Sequence, residues 1–150
     1  MTFRFFYSDS SDIITNGEDR FVAVIPSVSD EEKLYDELNY RLQFPYFGRN
    51  WDALWDLYCD FRWMEEREKR EIYIYHQELK KLSSKDLKKY INIIRDSIED
   101  RKYDYEYKVY MFFNKEEETL INDCWQGRSV WTILYDRFSL ALKSLLKTEK

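Results

Sequence analysis

The chain has 150 residues, 44% of them hydrophobic and 19% aromatic, which suits one domain with a proper core and argues against a disordered chain. Its formal net charge is −5, and that whole excess falls between residues 30 and 60, where eight acids stand against three bases. Such a segment repels nucleic acid and anionic membranes and steers basic partners toward itself.

The opening residues, MTFRFFYSDSSD, lack the apolar core of a signal peptide, and residues 3–7 predict a short strand. Residues 8–19 read as a loop or hairpin connection, with Asn16-Gly17 supplying turn chemistry. RFVAVIP is a nearly continuous apolar run stopped by Pro26, the pattern of a strand buried on both faces. SVSDEEKLYDELNYRLQF predicts a helix with Ser29 as N-cap and Glu32 completing a capping box; Leu34, Tyr35, Leu38 and Leu42 share one stripe. That helix ends before Pro45. After a turn at PYFGR, Asn50 caps a second helix running to about Phe61, with Leu54, Leu57, Tyr58 and Phe61 on its core side.

EIYIYHQ is a strand by its β-branched and aromatic content. SSKDLKKYINIIRDSIEDRK predicts a helix capped by Ser84, with Leu87, Tyr90, Ile91, Ile94 and Ile98 at helical spacing, and YEYKVYMFFN is another strand. The order β-α-α-β-α-β predicts an α/β fold: a small three-stranded parallel sheet with packed helices, plus an N-terminal strand or hairpin and a C-terminal helical extension. KEEETLINDCWQGR is ambiguous. From Ser129 an amphipathic helix is expected, with Val130, Trp131, Leu134, Phe138, Leu142 and Leu145 on its apolar face, packed on the sheet or covering an edge rather than forming a dimer or partner helix. The expected organisation is a single domain over 1–150, with a core at about 20–113 and an extension at about 115–150.

Cys59 and Cys124 show no metal or redox spacing, and a single His leaves no plausible zinc set. No apolar run approaches the roughly 20 residues that span a bilayer. These features predict a reduced, cytoplasmic, soluble protein without cofactor or metal. His76 follows a strand, where a lone His is more often structural than catalytic.

The stretch FPYFGRNWDALWDLYCDF, residues 44–61, combines a Pro-aromatic-aromatic-Gly turn with a helix carrying Asp52, Asp56 and Asp60 at four-residue spacing. Like charges at that spacing cost a helix roughly 0.2–0.5 kcal/mol per pair. The helix dipole favours Asp52 in the first turn but fades before Asp56 and Asp60. Gly48 permits close backbone approach or a positive φ. Carboxylates one turn apart lie roughly 6 Å apart along the axis, suited to a cluster of Arg and Lys side chains. Trp51 and Trp55 flank them. The expected site is therefore a surface for a basic protein partner.

FPYFGRNWDALWDLYCD resembles the signature of the barstar family of ribonuclease inhibitors, a Pro-aromatic-aromatic-Gly-x-Asn turn leading into an Asp-Ala-Leu-Trp-Asp helix. The predicted element order between about 20 and 113 agrees with that family's small parallel sheet. The resemblance implies that Asp56 matches the central acid entering the nuclease's phosphate site and Asp52 a second interface acid. Tyr46 and Phe47 match turn aromatics that cover the catalytic cleft. Gly48 and Asn50 match the turn glycine and the interface Asn. Trp51 and Trp55 flank the acids, Asp60 and Phe61 extend the face, and Asp96 is a candidate peripheral acid on the following helix. The implied partner is a cognate nuclease toxin, and the implied role is an immunity protein without enzymatic activity. Residues 1–19 and the stretch from about 115 lie outside the family's minimal domain. The alternative reading is a regulatory module that uses the same acidic face on a basic non-nuclease partner.

Overall fold

The computed structural model describes residues 2–7, 13–100 and 106–126. Four segments with alternating side chains form strands β1 (Thr2–Phe6), β2 (Arg20–Ile25), β3 (Glu71–His76) and β4 (Lys108–Asn114). They make one all-parallel sheet in the order β1-β4-β3-β2. Helices α1 (Glu31–Leu42) and α2 (Trp51–Cys59) connect β2 to β3, and α3 (Ser84–Asp100) connects β3 to β4. The expected β-α-α-β-α-β core is present.

The sheet differs from expectation in having four strands, not three. The N-terminal strand pairs with β4, placing Phe3 beside Met111 and Phe5 beside Phe113. Without it β4 would be an edge strand with a row of unpaired backbone groups. Its aromatic side chains also fit the core: Phe3 stacks on Trp125 at 4.3 Å between ring centroids. Trp125 lies in α4 (Glu118–Gln126), the helix formed by the segment that was ambiguous in sequence. The amphipathic helix expected from Ser129 lies outside the described residues.

The strands separate two aromatic-rich clusters. Ala23, Ile25, Ile72, Ile74, Val109, Met111 and Phe113 pack with the helices in the main core. Phe6, Tyr75 and Phe112 form the second cluster, with Ile13, Val22, Val24, Tyr73 and Tyr110 against it. Ile14 donates its backbone N–H to the Tyr75 hydroxyl at 3.3 Å, so residues beside the β1–β2 connection reach this second cluster.

Helix ends correct the expected caps. Asp30, not Ser29, caps α1: its Oδ1 accepts from Lys33 N–H at 2.8 Å. Ser29 Oγ instead accepts from the Lys33 ammonium, and Glu32 is drawn away to Arg49, so the capping box does not form. Ser83 rather than Ser84 caps α3, accepting from Asp86 N–H at 3.1 Å. Asn50 caps α2 as expected, through Ala53 N–H at 2.7 Å. That helix stops at Cys59, two residues before the expected end. Asp60 is extended (φ −139°) and its carboxylate accepts from Arg62 N–H at 2.9 Å, opening a 3-10 turn at Arg62–Arg67.

Candidate functional site

The turn that carries the candidate site is fixed from both ends. Gln43 leaves α1 in a left-handed conformation, φ 54°. The Arg67 guanidinium bonds the carbonyls of Leu42, at 2.6 Å, and Gln43, satisfying acceptors that the helix end leaves open. Phe44 is buried edge-on against Phe47 and Trp63, each at 5.2 Å. A Cβ built on Gly48 would stand 3.3 Å from Ala53 Cβ, so glycine serves close approach of the turn to α2, and its φ is not positive. The positive φ falls one residue later, at Arg49 (φ 53°). Arg49 bridges Glu32 at 2.7 Å and Asp36 at 2.8 Å, and those carboxylates hold its pKa above the ordinary value. Asn50 closes the turn by donating from Nδ2 to the Gly48 carbonyl at 3.3 Å.

Along α2 the side chains divide as the spacing predicts. Leu54 and Tyr58 are buried, whereas Asp52 and Asp56 are exposed. No cation pairs with either carboxylate among the described residues. Asp60 is exposed but lies past the helix end, so the helical stripe is two carboxylates long, not three. The aromatics also divide. Tyr46 is 81% exposed and Trp55 40%. Phe47 and Trp51 turn inward and meet the buried Tyr35 ring edge-on, each at 5.3 Å. Trp51 therefore braces α2 against α1 more than it flanks the acids. Phe61 is fully buried and belongs to the core.

A buried polar chain anchors α2 from below. His76 Nδ1 lies 2.9 Å from the Phe112 carbonyl and Nε2 lies 2.6 Å from the Tyr90 hydroxyl, which is 2.8 Å from the Tyr58 hydroxyl. A carbonyl only accepts, so Nδ1 carries the proton. Nε2 then accepts from Tyr90, and Tyr90 accepts from Tyr58. The chain is fully satisfied only with neutral His76, and burial pushes that pKa down to about 4. His76 is structural. Cys59 is similar: burial pushes its thiol up to about 12, and its Sγ lies 4.0 Å from Ser97 Oγ. No group of three or more His, Cys, Asp or Glu among the described residues could hold a metal ion.

A protein-family model described as Barstar (barnase inhibitor) matches residues 20–113, from the first residue of β2 to the penultimate residue of β4. The chain belongs to the Barstar family. The matched segment contains α1, the turn, α2 and α3, and therefore every candidate site residue. Strand β1 and helix α4 lie outside it, so this Barstar-family core carries a fourth strand and a further helix. No curated protein and no solved structure matches the chain. Among the described residues no helix is long and apolar enough to cross a membrane.

Two features of this candidate site were not legible in the sequence. Arg49 was counted only as one base in an acidic segment, yet it ties the turn to α1. A cleft of about 420 Å³, lined by Asn50, Trp51 and Asp52 from the start of α2 and by Lys89, Asn92 and Ile93 from α3, adjoins the carboxylates. Lys89, Asn92 and Ile93 sit at helical spacing, and Asn92 interrupts the apolar run of α3, which is the signal that could have found it. The α3 residue expected from sequence, Asp96, is exposed and lies 3.7 Å from the guanidinium of its neighbour Arg95.

Proposed function

We propose that this protein inhibits a ribonuclease toxin by seating the exposed face of α2 and the preceding turn in the toxin's basic active site, acting as its immunity protein. The observation that carries this reading is the contrast between two sets of acids. Glu32 and Asp36 are paired with Arg49, and Glu37 with Arg41 at 3.1 Å. Asp52 and Asp56 stand one helical turn apart, exposed, with no cation paired to either among the described residues. A cleft that grips RNA phosphates with Arg and Lys offers the cations they lack, because Arg takes carboxylate and phosphate in the same bidentate manner.

Tyr46 and Trp55 supply the exposed aromatic anchors that exclude water around such contacts. Phe47 and Trp51 support them from below, Gly48 and Asn50 set the turn, and Asp60 extends the acidic surface at its rim. Binding is by occlusion, and no bond is made or broken on the inhibitor. The partner is a protein; a surface with two free carboxylates repels nucleic acid.

Ribonuclease assays with barnase, with a mononucleotide as competitor, test the placement. The nucleotide and this protein should exclude each other, and simultaneous binding without loss of affinity refutes occlusion. Asp56→Ala should weaken inhibition by roughly 2–5 kcal/mol, the general range for buried interfacial charge pairs, of which the barnase–barstar pair is itself the type example. It should change folding stability by about 0.5 kcal/mol or less, because repulsion from Asp52 is relieved. Asp123→Ala, an exposed acid on α4 outside the matched segment, should leave inhibition intact. Equal effects of the two substitutions would mean that net charge, not this face, governs binding.

A further inference from the structure

Two buried polar atoms in residues lining the α2–α3 cleft have no hydrogen-bond partner among the described residues: the indole Nε1 of Trp51 and the side-chain Oδ1 of Asn92. The Trp63 indole, by contrast, donates to the Leu57 carbonyl at 3.0 Å. A buried donor or acceptor left unmade costs free energy that a ligand supplying the missing partner recovers.

The chemistry of the two groups selects that ligand. An indole N–H only donates, and a carboxamide oxygen only accepts. An Arg or Lys side chain offers nothing for Trp51 to donate to. A carboxylate offers nothing to Asn92. The lining carries one anion, Asp52, and one cation, Lys89, so its charge by itself prefers neither ion. A neutral group that both accepts and donates answers both groups; a hydroxyl does so through one atom, whereas a carboxamide carries its accepting oxygen and donating NH2 on separate atoms, which suits partners on two different helices. The Trp51 ring and Ile93 provide apolar wall for the attached methylenes.

We propose that this cleft is a subsite for a carboxamide side chain, Asn or Gln, of the partner protein, a placement that rests on the reading of α2 as the partner-binding face. The subsite complements the acidic stripe beside it. The stripe takes cations, and the cleft takes an uncharged group that checks the partner's identity. Both orphan atoms are closed to solvent in the free protein, so the ligand enters as the Trp51 ring and the Asn92 side chain part.

Propionamide is the minimal probe, titrated into the 15N-labelled full-length protein in parallel with propionate and propylammonium at matched ionic strength. The Trp51 indole cross-peak should shift saturably with propionamide, at the weak affinity expected of a fragment, and little with either ion. The Trp63 indole, already bonded, should stay in place. Loss of the peak in Trp51→Phe assigns it, and ring contacts with Tyr35 assign it without any variant. Asn92→Ala should reduce the propionamide response several-fold. No saturable shift at Trp51, or an equal response to all three probes, overturns the subsite. For a ribonuclease that the protein inhibits, Trp51→Phe should weaken inhibition about tenfold. Unchanged inhibition beside a large loss in Asp56→Ala removes the partner from the cleft and leaves the α2 reading standing. An Asp56→Ala variant that inhibits normally sinks the α2 reading, while the propionamide shift still decides the cleft.

Discussion

At the scale of single residues, His76 links the site helix to the sheet and makes the fold sensitive to acid. Its folded pKa, about 4, lies below the ordinary 6.5 because the ring is fully buried, between the Tyr90 hydroxyl and the Phe112 carbonyl, with Phe113 stacked on it at 4.9 Å. The unfolded chain therefore binds a proton between pH 6.5 and 4 that the folded chain refuses. Stability from this residue is complete above 6.5 and is lost as pH falls toward 4. The linkage amounts to about 2 kcal/mol between pH 7 and pH 5, at 1.36 kcal/mol per pH unit. Urea denaturation across that range should record the fall. In His76→Gln, less stable at pH 7, the slope over the same range should flatten; an unchanged slope would place the titrating group elsewhere. In sequence His76 offered only its position at a strand end. Its partners lie 14 and 36 residues away, and only the packed structure brings them together.

At the scale of elements, the helix faces were legible because apolar spacing reports which side is buried. Leu34, Leu38 and Leu42 on α1 and Leu87, Tyr90, Ile91 and Ile94 on α3 are buried as their spacing predicts. The ends were less legible, since Ser29, Asp30, Ser83 and Ser84 all have capping side chains and backbone geometry chooses among neighbours. The caps give a way to separate stability from binding. Asn50→Ala and Asp30→Ala should each cost about 1 kcal/mol of folding free energy. Only Asn50 also holds the Gly48 carbonyl, in the turn that presents Tyr46. Asn50→Ala should therefore weaken ribonuclease inhibition beyond its effect on folding, while folded Asp30→Ala inhibits normally. Denaturation curves paired with inhibition titrations measure both quantities, and equal inhibition by the two variants would show that the cap does not position the binding face.

At the scale of the whole molecule, charge segregation is the feature that acts over distance. The segment 30–60 carries the entire net charge of −5, while the rest of the chain balances. Local pairing of Glu32, Asp36 and Glu37 does not remove the net field, which under the proposed function steers a basic partner at long range. Screening acts over about 8 Å at physiological ionic strength. The association rate with an inhibited ribonuclease should fall by about tenfold or more from low to high salt, with a much smaller change in dissociation. Stopped-flow measurements over a salt series would decide, and a flat association rate would remove steering from the mechanism.

The sequence by itself determined the element order from β2 to β4, the buried faces of the helices and the family, and it singled out the turn-plus-helix segment proposed as the site. These are local properties: apolar period, turn chemistry, and a short run of residues whose spacing carries meaning without its surroundings. Tertiary structure alone decided that β1 becomes the fourth strand, that Phe47 and Trp51 turn inward while Tyr46 and Trp55 stay out, and that Asp60 leaves the carboxylate stripe. It also decided that Arg49 pairs with two of the acids and that α3 places Asn92 and Lys89 in one cleft with Asn50, Trp51 and Asp52. Each of these depends on a contact between residues distant in the chain, or on where a helix stops. Pairing across 108 positions, as between β1 and β4, leaves no period or spacing in either segment from which the partner could be read.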